Sequence, residues 1–264
     1  MATVKDVYRY LDQKAPFYSQ LGFDNSGFLV GRSEKKVQRI LVALDITQQV
    51  IEEAVQLHAD LIVSHHPVIW DAPKSVTDES ILGRKLLALI SSDIGAICAH
   101  TNLDAAKGGV NDILSATLGL TDTALLKTYG TYRDGTEYGI EQVGILQGGP
   151  VGLVEFADRV KSLLGSNGVR YADAGRQVHK VAIGGGSCSG SIKSVVAAGC
   201  DTFVTADVKY DGFLDAKALG LNLIDAGHYP TENLVCPVLV DWLKTGFPQV
   251  EVLLSKHKEV LNYL

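Results

Sequence analysis

Four of the seven histidines in this 264-residue chain stand directly after short apolar runs. Ser64-His65-His66-Pro67 follows Leu61-Ile62-Val63, His100 closes Ile94-Gly95-Ala96-Ile97-Cys98-Ala99, and His228 closes Leu221-Asn222-Leu223-Ile224-Asp225-Ala226-Gly227. Asp104 comes four residues after His100, and Glu232 four after His228. Where such a segment begins a helix, that spacing stacks imidazole and carboxylate on one face. Pro230 suits a first helical turn, where no amide donor is lost. Imidazole nitrogen and carboxylate oxygen without sulfur suit zinc, iron, manganese or nickel better than a thiolate zinc knuckle or a calcium loop. Six such groups exceed what one tetrahedral ion uses. Two ions roughly 3.5–4 Å apart, bridged by a carboxylate and a water, would employ them all, and the surplus positive charge would favour an anionic ligand. The plainer alternative is histidines capping strand ends or facing solvent, with each His-x-x-x-acid pair an ordinary helix start. Neighbours on an extended strand point to opposite sides, so His65 and His66 do not easily chelate one ion in a regular strand, whereas past its end, near Pro67, the pair could straddle two.

The elements that must position these groups read as an α/β fold. Arg39–Asp45 is a short apolar strand, a helical pattern follows over Val50–Val55, and Leu61-Ile62-Val63 is a second strand. Lys180–Ile183, the helical Ile192–Ala198 and Thr202-Phe203-Val204 repeat the order. Strand–helix–strand units imply partly parallel strands. Helices are expected near Asn111–Leu114 after the first His-acid pair and through Val238–Trp242 after the second. The expectation is an internal duplication of two similar α/β halves packed around a dinuclear metal site. The first half spans residues 1–125 and the second 126–264, with the two able to intertwine as one compact unit. A looser region from Thr121 to Gln177 holds turn signals, a strand-like alternation from Gly139 to Leu146, and an amphipathic helix over Leu153–Leu164 with Leu153, Phe156, Val160 and Leu163 on one face.

Gly184-Gly185-Gly186-Ser187-Cys188-Ser189-Gly190 lies between a strand and a helix, where amides can cradle a phosphate or simply make a tight turn. Lys107, His58, His179 and His257 read as surface residues. Cys98, Cys188, Cys200 and Cys236 form no CxxC pair and read as small buried hydrophobes in a reducing compartment. A net charge of −6 argues against general affinity for nucleic acid or an anionic membrane. The apolar runs are too short to span a bilayer, and the first residues lack the apolar core of a secretory signal, so the expected compartment is the cytoplasm.

Taken in order, Asp24-Asn25-Ser26-Gly27, Ser64-His65-His66-Pro67, His100-Thr101-Asn102-Leu103-Asp104 with Gly109-Val110-Asn111-Asp112, and Gly227-His228-Tyr229-Pro230-Thr231-Glu232 resemble the Nif-three-like (NGG-interacting-factor-like) family. Its bacterial members carry the name GTP cyclohydrolase I type 2 homologue. The likeness covers almost the whole chain, in the short form without an inserted middle domain. It departs at Ala206 and Asp211, where relatives often have Gly and His. The resemblance implies two divalent metal ions (Zn, Fe, Mn or Ni), with His65, His66, Asp104, His228 and Glu232 as ligands and Asp104 bridging. His100 would stand beside them as a proton carrier, a role Glu232 could share. It also implies a ring-shaped homohexamer. The function expected is a dinuclear metal-dependent hydrolase of a nucleotide-like or phosphate-bearing small molecule, of GTP cyclohydrolase type. The alternative is a non-catalytic metal-binding adaptor or regulatory protein.

Overall fold

A computed structural model describes residues 1–264. The chain runs α1 (Val4–Lys14), β1 (Gly27–Val30), β2 (Arg39–Ala43), α2 (Gln48–Gln56), β3 (Leu61–Ser64), α3 (Ile81–Ser91), β4 (Gly95–Cys98), α4 (Thr101–Ala105), α5 (Val110–Thr117) and β5 (Leu120–Leu125). A small hairpin, β6 (Gly130–Thr131) and β7 (Glu137–Tyr138), precedes β8 (Gln142–Leu146), α6 (Leu153–Leu164), β9 (Arg170–Ala172), β10 (Lys180–Ile183) and α7 (Ile192–Ala197). The chain then forms β11 (Thr202–Thr205), α8 (Tyr210–Ala218), β12 (Asn222–Asp225), α9 (His228–Glu232), α10 (Val235–Gly246) and β13 (Glu251–Leu254). These elements divide into two compact units, Met1–Lys107 with Val235–Lys258, and Gly108–Leu234 with Glu259–Leu264.

The first unit is built on a five-stranded sheet of order β1-β4-β3-β2-β13. Strands β4, β3, β2 and β13 are parallel and β1 is antiparallel at the edge. A parallel strand covered on both faces needs apolar side chains at consecutive positions. Ile40-Leu41-Val42-Ala43 and Leu61-Ile62-Val63 supply them and are all buried. The crossover helices are set by their caps: the Thr47 hydroxyl accepts from the Val50 amide at 3.2 Å, and the Ser80 hydroxyl accepts from the Gly83 amide at 2.9 Å. Val50, Ile51 and Ala54 of α2 and Leu86 and Leu89 of α3 then share one core with Leu41 and Ile62.

The second unit carries a six-stranded sheet of order β5-β8-β10-β11-β12-β9. Strands β10, β11 and β12 are parallel, flanked by antiparallel β8 and β9. Strand β8 alternates buried and part-exposed positions, the period-two pattern of a sheet with one covered face. Helix α6 buries Leu153, Phe156 and Val160 in the core beneath and stops at Gly165, which takes a left-handed φ of 61°. Leu163, expected on the apolar face, is exposed, and Leu164 is buried instead. At about 100° per residue Leu164 falls within roughly 20° of Leu153 around the axis, whereas Leu163 lies roughly 80° away.

The expected strand–helix–strand units, β2-α2-β3 and β10-α7-β11, are present, and each continues through a helix not foreseen, α3 or α8, into the strand that ends before a histidine, β4 or β12. The chain divides elsewhere than at 125/126. Strand β5 pairs antiparallel with β8, and Leu114 of α5 enters the second unit's core, so residues from Gly108 onward belong there. Helix α10, expected in the second half, belongs to the first unit together with β13, which lies parallel to β2. Cys98, Cys200 and Cys236 are buried, while Cys188 is partly exposed. No helix is long and apolar enough to cross a membrane.

The packing of α6 gives a direct contrast. Phe156→Ala should destabilise the chain by about 3–5 kcal/mol in chemical denaturation, through lost burial and a residual cavity. Leu163→Ala should stay within about 0.5 kcal/mol.

Candidate functional site

In the first unit the site begins where β3 ends. The Ser64 hydroxyl donates to the His66 carbonyl at 2.7 Å, closing a turn just past the strand. The His65 and His66 amides still donate to Ala43 and Leu44 carbonyls, at 3.3 and 2.9 Å. Because the strand has ended, the adjacent rings come together, with centroids 4.9 Å apart, instead of facing opposite ways. His100, one residue beyond Ala99 at the end of β4, places its ring 5.1 Å from His65 and 5.5 Å from His66. One ring nitrogen from each of the three lies within 4.8 Å of the others, a group able to hold a metal ion. His100 caps α4, and Asp104 in that helix reaches His65, with Oδ1 3.5 Å from His65 Nε2.

Each of these rings is anchored through the same nitrogen. His65 Nδ1 bonds the Ala99 carbonyl at 2.9 Å, His66 Nδ1 bonds Asp45 Oδ1 at 2.8 Å, and His100 Nδ1 bonds Asp24 Oδ1 at 2.8 Å. Carbonyl and carboxylate oxygens only accept, so Nδ1 donates its proton and the lone pair resides on Nε2. This is the outer arrangement that orients metal-binding histidines. Asp24 is itself held firmly. It accepts from the Asn25 amide at 2.7 Å, the Ser26 hydroxyl at 2.8 Å, the Thr101 amide at 3.0 Å and the Thr101 hydroxyl. Burial pushes its carboxyl up, but the hydrogen bonds from His100, Thr101 and Ser26 outweigh burial and hold it well below the usual carboxylate range. Cys98, close in sequence, stays a thiol: burial pushes it up to about 12.

The second unit supplies a pair of its own. His228 opens α9 and Glu232 closes it, and the expected i, i+4 stacking is present, with Nε2 2.9 Å from Glu232 Oε2. His228 Nδ1 bonds Asp207 Oδ2 at 2.7 Å. Asp207 follows β11 in a left-handed conformation, φ 53°, which Asp tolerates better than most residues. With the Nδ1 hydrogen directed at Asp207, a neutral His228 turns its Nε2 lone pair toward Oε2, a repulsion that a proton or a cation between them removes. Glu232 is 3% exposed, so either neutralising partner acts where water does little.

The glycine turn after β10 makes room for that carboxylate. A Cβ on Gly186, whose φ is 63°, would stand 2.1 Å from Glu232 Oε1 and 3.3 Å from His228 Nε2. Four amides of Gly184–Gly190 are already engaged, which favours the tight turn over the phosphate cradle. Those of Gly184, Gly185, Gly186 and Cys188 donate to Val204 O, Asn111 Oδ1, Thr231 Oγ1 and Thr205 Oγ1, at 3.0, 2.8, 3.0 and 3.1 Å. Asn111, buried in α5, thereby fastens the turn. Lys107, His58 and His179 are exposed and His257 is partly so.

The structure thus groups His65, His66, His100 and Asp104 in one unit and His228 with Glu232 in the other. Sequence reasoning gave no anchoring role to Asp45, Asp24 or Asp207, and read Gly186 only as part of a phosphate cradle or tight turn. Asp45 carried a readable signal, since the run Arg39–Asp45 ends in an acid just as its neighbours end in histidine. In both units the donors are imidazole and carboxylate with orientation fixed from behind, which fits a divalent ion of the zinc, iron, manganese or nickel kind.

Comparison with known proteins agrees. The family model Duf34/NIF3 (NGG1p interacting factor 3) matches residues 2–260. A Clostridium perfringens protein named GTP cyclohydrolase 1 type 2 homolog is 37% identical over 238 residues, covering 90% of this chain and 88% of its own. A hypothetical protein of Staphylococcus aureus superposes with a TM-score of 0.88 at 28% identity, over 99% of both chains. A Bacillus cereus protein related to NIF3 shares the fold over 100% of this chain and 99% of its own, with a TM-score of 0.93 at 24% identity. With the motifs, the mixed α/β fold and the histidine–carboxylate groups in place, the chain belongs to the Duf34/NIF3 family.

Proposed function

We propose that this chain is a metal-dependent hydrolase of a nucleotide-like or other phosphate-bearing small molecule, with His65, His66, Asp104, His228 and Glu232 as ligands of one dinuclear centre. The observation that carries this reading is the shared anchoring of four imidazoles: His65, His66, His100 and His228 each bond an oxygen acceptor through Nδ1 and keep Nε2 for the site. The recurrence in each unit of a β-α-β-α-β core, then histidine, then an acid four residues on, supports a duplicated frame.

Two divalent cations, when bound, supply a water activated near neutral pH and polarise the bond under attack. The chain's own residues do the rest. Asp45, Asp207 and the Ala99 carbonyl fix the rings. His100, backed by Asp24, takes up or delivers a proton at Nε2, and Glu232 can accept one at its carboxylate. The charge balance shifts once Asp24, Asp45 and Asp207 are counted beside Asp104 and Glu232. Without cations these residues repel a phosphate, so an anionic ligand is held only after the metals are in place. The name GTP cyclohydrolase 1 type 2 homolog, carried by the Clostridium perfringens relative, makes GTP the first substrate to try.

Elemental analysis checks the ligand assignment. His66→Ala and Asp104→Ala should each lower metal content with native-like circular dichroism, and unchanged stoichiometry in both contradicts it. Gly186→Ala, whose Cβ displaces the Glu232 carboxylate while leaving every ligand residue in the sequence, should weaken metal affinity about ten- to a hundredfold. Protein loaded with Mn, Fe or Zn should release formate from GTP or cleave a phosphodiester, and lose that activity on chelation. A fully loaded protein inert toward both favours the adaptor reading.

A further inference from the structure

We propose that Phe23 and Trp70 form a stacking shelf for a planar nitrogen heterocycle carried by the molecule that reaches the His65–His66–His100 cluster. The inference rests on the reading of that cluster as a metal site and adds the part of the ligand that does not react. The Trp70 indole stands 5.3 Å from the His100 ring, inclined by 67°, and is 48% exposed. Phe23, 64% exposed, lies 6.3 Å from Trp70 with the ring planes 32° apart. Centroid separations of this size are those at which aromatic rings interact. A group in contact with His100 is therefore within stacking range of the indole.

These rings are not stray surface hydrophobes, because the loops that carry them also position the histidines. Phe23 immediately precedes Asp24, the anchor of His100. Trp70 comes four residues after His66, with Val68 buried between them. The Asn25 side chain donates to the Ile69 carbonyl at 2.7 Å and ties one loop to the other. The shelf is thus carried by the same loops as the cluster. Large apolar rings left exposed at the rim of a polar site are a mark of ligand binding. The flat aromatic faces favour a planar heterocycle over an aliphatic group, and the negative charge of Asp24, Asp45 and Asp104 disfavours a carboxylate-bearing one.

Calorimetric titration separates the heterocycle from the phosphate it carries. GMP and ribose 5-phosphate are titrated into wild type, Trp70→Ala and Trp70→Phe, each zinc-loaded and metal-free, with metal content measured alongside. Wild type should bind GMP more tightly than ribose 5-phosphate. Trp70→Ala should weaken GMP by about fivefold or more, Trp70→Phe should recover most of that, and ribose 5-phosphate and zinc content should be unchanged in both. Three results overturn the shelf: no advantage of GMP over ribose 5-phosphate, GMP binding indifferent to Trp70→Ala, or equal weakening of the two ligands. A chain that takes up no zinc yet shows the Trp70-dependent preference for GMP defeats the metal centre and keeps the shelf. A chain that loads zinc and lacks the preference does the reverse.

Discussion

The geometry of the candidate site depends on one repeated hydrogen bond, from histidine Nδ1 to an oxygen that can only accept. Asp24, Asp45, Asp207 and the Ala99 carbonyl each make it. An imidazole without such a partner can rotate and can carry its proton on either nitrogen. With the partner, ring plane and tautomer are set together, and the lone pair points one way. The bonds to Asp24 show how much structure backs a single ring. Its carboxylate is buried among donors from Asn25, Ser26 and Thr101, so the negative charge is kept and His100 is held from behind.

The fold brings these partners to the rings by exploiting the ends of parallel strands. In the first unit, Asp45 follows β2, His65 and His66 follow β3, and Ala99 and His100 follow β4. Neighbouring parallel strands end at the same edge of their sheet, so short extensions from three of them meet without any long loop. In the second unit the glycine turn follows β10, Asp207 follows β11 and His228 follows β12. Their interiors are apolar on both faces, which leaves polar chemistry to the residues just past the last ladder bond. The glycine turn belongs to the same scheme: Gly186 lacks the side chain that would take the place of Glu232.

Much of this was legible in the amino-acid sequence. Apolar runs ending in histidine marked the strands, and the four-residue spacing from His228 to Glu232 foretold their contact. The spacing from His100 to Asp104 was less informative, since Asp104 faces His65, a contact that depends on how α4 leaves β4. Asp45 and Asp207 went unread as anchors because their partners are 21 residues away along the chain in each case. The unit boundaries were misplaced for a related reason. Nothing local in Glu251–Leu254 shows that it will lie beside Arg39–Val42 rather than beside its sequence neighbours. Leu163 misled because an exposed leucine and a buried one differ only by their angle around α6.

The most direct test of the anchoring account is an anomalous-scattering map, recorded at the metal absorption edge from crystals of the zinc-loaded chain. The account predicts peaks about 2.0–2.1 Å from Nε2 of His65, His66 and His228, with every Nδ1 still on its oxygen partner. Peaks against Nδ1, or zinc bound away from these rings altogether, would contradict it.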